Sequence, residues 1–249
     1  MHHLLDADLW AAFLTLAGLE IVLGVDNIIF LSISASKLPL EQQARARTIG
    51  LAGAMLTRIL LLLSLAFLAR LTAPWLTILG QELSGRDFIL LLGGLFLMGK
   101  STLEIHEQLE GAGHEEGAPA RSKASFFGVI GQIMVLDVVF SLDSVITAVG
   151  MTRNIPVMVA AIVASVIVMM FFAGAVARFV DEHPTIRTLA LAFLILIGMS
   201  LVAESLDFHV PKGYIYFAMA FSAGVEMVNL QMHKRRKRAA ARETEKAAQ

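Results

Sequence analysis

Six residues, in two places along the chain, carry the oxygen atoms that a hard metal ion requires. Glu20 is followed six positions later by Asp26 and Asn27, and Asp137 is followed six positions later by Asp143 and Ser144. The second set stands 117 residues after the first. Four carboxylates with an amide and a hydroxyl beside them make a negatively charged, oxygen-only ligand set, which suits Mn²⁺, Ca²⁺ or Mg²⁺ rather than Cu⁺ or Zn²⁺. The chain contains no cysteine, so disulfides, thiolate metal sites and a cysteine nucleophile are all excluded. On an ideal helix six residues rise about 9 Å and turn about 600°, which leaves Glu20 and Asp26 about 120° apart around the axis. If the two motif-bearing helices cross antiparallel about Leu23 and Phe140, Asp26 shares a depth with Asp137, and Glu20 with Asp143. Gly24 could further permit an unwound turn beside Asp26, although the second set has Ser141 at that place.

The elements that must position these acids are apolar. Of 249 residues, 57% are hydrophobic and 16% charged, and mean hydropathy is +0.72. Soluble domains carry about 25% charged residues and cannot hide so much apolar surface from water. The composition therefore predicts an integral membrane protein. A formal net charge of -1 excludes the basic surface of a nucleic-acid binder. The amino terminus has no basic segment before its apolar run and no small-residue cleavage site, so that run is expected to persist as a span.

A spanning helix needs about 20 mostly apolar residues. Seven such runs are present: Leu9–Ile33, Thr48–Leu71, Phe88–Leu109, Phe126–Met151, Val157–Val180, Thr185–Leu206 and Tyr214–Met232. Lipid leaves unpaired backbone groups unsatisfied, so these runs read as helices and the fold class as all-α and polytopic. The six prolines all fall between the runs, where they interrupt no hydrogen-bond ladder. With the amino terminus outside and the carboxy terminus in the cytoplasm, the cytoplasmic connections and tail receive fourteen Lys and Arg against four on the other side. That bias fixes the expected orientation.

The offset between the acid motifs recurs between Leu38-Pro39 and Ile155-Pro156. The chain reads as a duplication of three helices, and because three is odd the second copy must cross the membrane in the opposite sense. This is the 3+3 inverted repeat of many secondary transporters, whose site lies near mid-membrane between the copies. The expected organisation is a first repeat at 1–110, a Gly-rich cytoplasmic linker at 111–125, a second repeat at 126–210, a seventh helix at 211–232 and a basic cytoplasmic tail at 233–249. The linker region, with His106, Glu107, His114, Glu115 and Glu116 in or near it, lacks fixed metal-ligand spacing and reads as solvated. Gly93, Gly94, Gly99, Gly174 and Gly198 read as points of close helix contact.

Charges inside a span cost about 2.5–3.5 kcal/mol each on insertion scales, so each needs a partner or a role. Two bases, Arg58 and Lys100, also lie inside the runs, and four acids against two bases leave two negative charges for a divalent ion to neutralise. Arg58 and Lys100 are expected to be supporting charge partners of the acids. A purely structural role in gluing the bundle accounts for one acid more readily than for four in repeat-related places.

In Leu19-Glu20, Val25-Asp26-Asn27, Asp137 and Phe140-Ser141-Leu142-Asp143-Ser144-Val145 the chain resembles the TerC family of integral membrane proteins, within a group similar to the lysine-exporter superfamily. The resemblance covers nearly the whole chain. It implies a seven-helix bundle in the bacterial inner membrane and a role in metal homeostasis, with manganese efflux foremost. It also implies Asp26, Asn27, Asp143 and Ser144 as ligands, with Glu20 and Asp137 beside them.

The expected function is a secondary transporter, not an enzyme. It would export a hard divalent ion, most of all Mn²⁺, by alternating access. No Gly-x4-Gly-Lys-Ser/Thr motif supplies ATP binding. Proton exchange is the expected drive, because acids crowded together without their cation take up protons. The expected partners are the ion, protons, the lipid bilayer and, in a homo-oligomer, further copies of the chain. No permanent cofactor and no nucleic acid are expected. The rival readings are an exporter of a cationic amino acid, a non-transporting metal-binding scaffold and an intramembrane aspartyl enzyme, the last of which two acids sharing a proton would allow.

Overall fold

The structure is a computed structural model that describes residues 7–64, 72, 74–78, 81–110, 125–152 and 154–247. Within them the chain forms α1 (Ala7–Ala35), α2 (Leu40–Leu63), a hairpin of β1 (Pro74–Ile78) and β2 (Gln81–Ser84), then α3 (Gly85–Glu110), α4 (Phe126–Met151), α5 (Ile155–Glu182), α6 (Pro184–Ser205) and α7 (Lys212–Ala247). Among the described residues six helices, α1 to α6, are long and apolar enough to cross a membrane. The protein is therefore a polytopic, all-helical membrane protein. The expected seventh run is also helical but falls short of the other six, because Glu226, Asn229 and Gln231 dilute its apolarity. It also continues through the basic tail as one helix to Ala247 rather than ending at Met232.

Local chemistry sets the boundaries. Asn154 caps α5, its Oδ1 accepting from the Val157 backbone N–H at 3.3 Å, with Pro156 in the first turn. Pro184 opens α6, where its missing N–H leaves no bond unmade. Asp87 in the first turn of α3 accepts from Ser84 N at 2.8 Å and Ser84 Oγ at 2.7 Å, tying the hairpin to the helix. The hairpin lies in the connection beyond the second span, which the sequence expectation carries to Leu71. Instead α2 ends at Leu63, residues 65–71 lie outside the described residues, and β1 and β2 pair antiparallel with Leu76 opposite Leu83. The linker at 111–124, with His114, Glu115 and Glu116, likewise lies outside the described residues. His106 and Glu107 stand on α3.

The helices pair between the two halves of the chain. α3 packs chiefly on α6, α1 on α5, and α2 on α4 and α5, while the α1–α4 contact is less extensive. Leu31, Ile133, Val166 and Leu194 form the core nearer the Pro39 end of the bundle, and Leu62, Leu142, Met158 and Ala161 the core nearer the Pro211 end. Leu60, Leu92, Phe127 and Phe171 face outward, as lipid-facing side chains must. Because lipid is as apolar as leucine, close backbone approach and not burial from water holds such helices together. Gly94 and Gly198 provide it: a Cβ on Gly94 would stand 2.6 Å from the Gly198 carbonyl oxygen, and one on Gly198 would stand 2.8 Å from that of Gly94. Gly93 makes room for Val139. Gly99 and Gly174, by contrast, face open space and are not contact points.

Helix α1 is continuous through Gly24. The expected unwound turn is absent, and Gly24 instead leaves space for Met169 of α5, whose sulfur would lie 2.3 Å from an added Cβ.

Candidate ion-binding sites

Three helices converge on Arg58. It is 3% exposed, and its Nη1 donates to Glu20 Oε2 of α1 while its Nη2 donates to Asp137 Oδ1 of α4 at 2.6 Å. Its Nε also reaches both Asp137 oxygens, at 3.1 and 3.3 Å. Asp137 accepts further from Thr57 Oγ1 at 3.4 Å, Asn27 Nδ2 at 3.3 Å and Ser141 Oγ at 3.2 Å. The fork geometry of guanidinium suits this arrangement, since one planar group serves two carboxylates from opposite sides. Glu20 thus meets Asp137 through Arg58. The reason is helical phase. Glu20 and Asn27 are seven residues apart, two full turns, and so lie on one face of α1, whereas Asp26 is rotated about 100° from Asn27.

That rotation gives Asp26 a different neighbourhood. It is 8% exposed and forms no hydrogen bond or ion pair with any described residue. It lines a cavity of about 60 Å³ together with Ser144 of α4, Ser200 and Glu204 of α6 and Tyr216 of α7. Ser144, Glu204 and Tyr216 also line a wider cavity of about 580 Å³, whose wall includes Glu20, Arg86, Asp207 and His209 at the Pro211 end. A third cavity, of about 280 Å³, sits at the Pro39 end with Lys37, Lys100, Ser101 and Glu104 on its wall. Lys100 therefore stands apart from the Arg58 cluster. Asp143 lies on α4 within the described backbone, but its side chain is outside what the structure describes. Among the described residues no three of His, Asp and Glu gather closely enough to hold a metal ion by themselves.

At the Pro39 end Lys37 Nζ pairs with Glu104 Oε2 at 2.5 Å and Glu107 Oε2 at 3.1 Å, and Arg187 Nη2 pairs with Glu104 Oε1 at 3.0 Å. Burial acts to lower the Lys37 ammonium, but the Glu104 and Glu107 carboxylates outweigh it and hold the group above its ordinary value.

Sequence reasoning put Glu20, Asp26, Asn27, Asp137, Asp143 and Ser144 in one site with Arg58 and Lys100 as supporting partners, whereas the structure gathers Glu20, Asn27 and Asp137 at Arg58 and sets Asp26 and Ser144 on the wall of one cavity. The sequence reading missed Glu204, whose place near the end of an apolar run resembles an interfacial acid. The available signal was Ser200 four residues before it, a spacing that puts both on one helix face.

This architecture, carboxylates enclosed among apolar spanning helices, defines a multi-pass membrane protein with a polar interior. Residues 5–241 match the integral membrane protein TerC family, and the chain belongs to that family. It is 58% identical over 229 residues to a UPF0053 protein of Haemophilus influenzae, covering 92% of this chain and 96% of the relative. It is 57% identical over 230 residues to the UPF0053 inner membrane protein YgdQ of Escherichia coli, with the same coverage. The Escherichia coli UPF0053 inner membrane protein YoaE is 48% identical over 229 residues that make up 44% of its length. No solved structure matches the chain. With these relatives and its six apolar helices, the protein is a multi-pass protein of the inner membrane.

Proposed function

We propose that this protein is a secondary transporter that exports a hard divalent cation, Mn²⁺ foremost, through the buried carboxylates between its two halves. The observation that carries the reading is Asp26: a carboxylate enclosed in the bundle, without a hydrogen-bond donor or cation among the described residues, and facing a cavity. A buried carboxylate in that state is costly unless it holds a proton or a cation. Asp26, Asp143 and Ser144 are the ion-holding residues in this reading. Glu20, Asn27 and Asp137 are gathered around Arg58, whose charge offsets one of the two acids and fixes the frame.

The helix pairing supports an inverted repeat at 1–110 and 126–210. Under exchange of the copies α1 corresponds to α4, α2 to α5 and α3 to α6, so the α1–α5 and α2–α4 contacts map onto each other and α3–α6 onto itself. Two wide cavities at opposite ends of the bundle, with the acids between them, support alternating access. With α7 as a seventh span and the basic tail retained by the positive-inside rule, the Pro39 end faces the cytoplasm and the Pro211 end the outside. Protons captured by the emptied acids would return inward and drive the cycle. The 60 Å³ chamber also bears on the rival substrate: a cavity that takes benzene measures about 150 Å³, so the chamber suits an ion and its waters better than a cationic amino acid.

Reconstituted in sealed liposomes, the protein is expected to carry Mn²⁺ faster with a pH gradient than without, and without competition from lysine. The double variant Asp26→Asn, Asp143→Asn is expected to carry none. Wild-type flux in that variant would reject the site, and binding without flux would indicate a scaffold.

A further inference from the structure

We propose that the cavity at the Pro39 end binds one phosphate-type oxyanion, either the headgroup of an anionic lipid or a free phosphate, through Lys100 and Ser101 of α3 and Gln132 and the amino terminus of α4. The inference goes beyond the transport reading and does not rest on it, because no cation has to cross the bundle for this site to exist.

Three observations converge. The first is charge. Lys100 lies inside a span and on the wall of this cavity of about 280 Å³, yet it forms no hydrogen bond or ion pair with any described residue. Glu104, the one acid on that wall among the described residues, is already held by Lys37 at 2.5 Å and by Arg187 at 3.0 Å. The Lys100 ammonium is therefore left to attract an anion, since an unpaired charge inside a span is costly. The second is a pair of orphaned donors. Ser101 is 1% exposed, and its hydroxyl has no partner, whereas Thr102 beside it returns its proton to the Met98 carbonyl at 2.8 Å. The Gln132 Nε2 group of α4 is likewise buried without an acceptor, and both residues line the cavity. Buried polar groups are normally paired, so two orphans on one wall mark a place that an acceptor fills. The third is the helix end. Ser125, Gly128 and Val129 from the first turn of α4 line the same cavity, and the Ser125 side chain makes no cap bond. The first intrahelical N–H bond runs from Val129 to Ser125, which leaves the amides of Phe126, Phe127 and Gly128 with no acceptor in the helix. Such a terminus favours negative charge and suits phosphate oxygens. Donors from α3 and α4 match the three or four oxygens of a tetrahedral phosphate better than the two of a carboxylate. The volume exceeds the about 150 Å³ of a cavity that takes benzene, so a phosphate fits with its ester stem. In the transport reading this cavity is the cytoplasmic access, and a bound anion there offsets the Lys100 charge that otherwise repels an approaching cation.

The test is thermal melting of the whole protein in phosphatidylcholine nanodiscs, titrated with inorganic phosphate against chloride at matched ionic strength, and in nanodiscs that contain phosphatidylglycerol. Native mass spectrometry counts the lipid retained. Saturable stabilisation by inorganic phosphate identifies a free anion, and stabilisation with retained phosphatidylglycerol but no phosphate effect identifies a headgroup. Whichever source acts, Lys100→Met is expected to weaken its binding at least tenfold, and Ser101→Ala and Gln132→Met severalfold. Arg178→Gln, which alters an exposed base near the same end, is expected to bind as wild type. Should Lys100→Met fail to fold, Ser101→Ala and Gln132→Met carry the test. Stabilisation by neither source, or equal binding in wild type and Lys100→Met, overturns the site and leaves the transport reading standing. A loss in Arg178→Gln as large as in Lys100→Met would trace the effect to surface charge and overturn it too.

Discussion

Asp26 and Asn27 are adjacent in sequence yet serve different places: Asn27 donates to Asp137 in the Arg58 cluster, and Asp26 faces the chamber shared with Glu204. The 100° between consecutive helical residues separates a structural polar network from a cavity that can take a cation. The two residues are therefore expected to respond differently to substitution. Asp26→Asn removes the need to protonate a buried carboxyl that has no partner among the described residues, so the variant should be at least as stable as wild type in the absence of metal, while losing Mn²⁺ binding. Asn27→Leu should instead lower stability by about 1 kcal/mol through the lost bond to Asp137. Thermal melts with and without Mn²⁺ check both, and equal melting shifts for the two variants would contradict the separation.

Arg58 pairs with carboxylates on two other helices at once. Arg58→Leu leaves Glu20 and Asp137 buried near each other without their cation, at an expected cost of about 3–5 kcal/mol. Arg58→Lys keeps the charge but cannot span both carboxylates, so its loss should be intermediate. The triple variant Arg58→Leu, Glu20→Leu, Asp137→Leu should recover much of the stability, because no uncompensated charge remains. Yield and melting temperature in a mild detergent report the order.

At the other end, the raised Lys37 ammonium has a consequence for alkaline stability. A group whose folded value lies above its unfolded one stabilises fully below the unfolded value, and that contribution is lost as pH rises through the folded one. For Lys37 the stabilisation is present at neutral pH, persists at its ordinary value of 10.5 and disappears above it. The slope of melting temperature against pH above 10.5 should be shallower in Lys37→Met than in wild type. Coincident slopes would show that Glu104 and Glu107 contribute nothing through Lys37.

The Gly94–Gly198 contact is backbone against backbone, so neither side can yield by rotating a side chain. Gly94→Ala and Gly198→Ala are each expected to destabilise by about 1–3 kcal/mol. Gly99→Ala, which projects into open space, should be neutral or slightly stabilising through helix propensity. Melting curves of the three single variants decide the matter.

Much of this was legible in the residue order. Apolar runs of spanning length, prolines confined to the gaps and the recurrence of an acid motif identified a polytopic helical membrane protein with costly carboxylates inside it, because lipid permits few alternatives for such runs. The same order misplaced what does not depend on hydropathy. Helix α2 ends at Leu63, short of the expected bound at Leu71, with residues 65–71 outside the described residues, and Gly24 supports close packing by Met169 instead of a break.

What the chain by itself determined is which charges must be buried, since hydropathy and repeat spacing are properties of the residue order. Which of those charges meet was settled only by tertiary structure. Helical phase and the pairing of α1 with α5 and of α2 with α4 sent Glu20 and Asp137 to Arg58, left Asp26 facing Ser144, and brought in Glu204 from a helix no motif marked. Periodicity gives the face of each helix, but the rotation and neighbour of that face come from close packing, which is decided at contacts such as Gly94–Gly198 far apart in sequence.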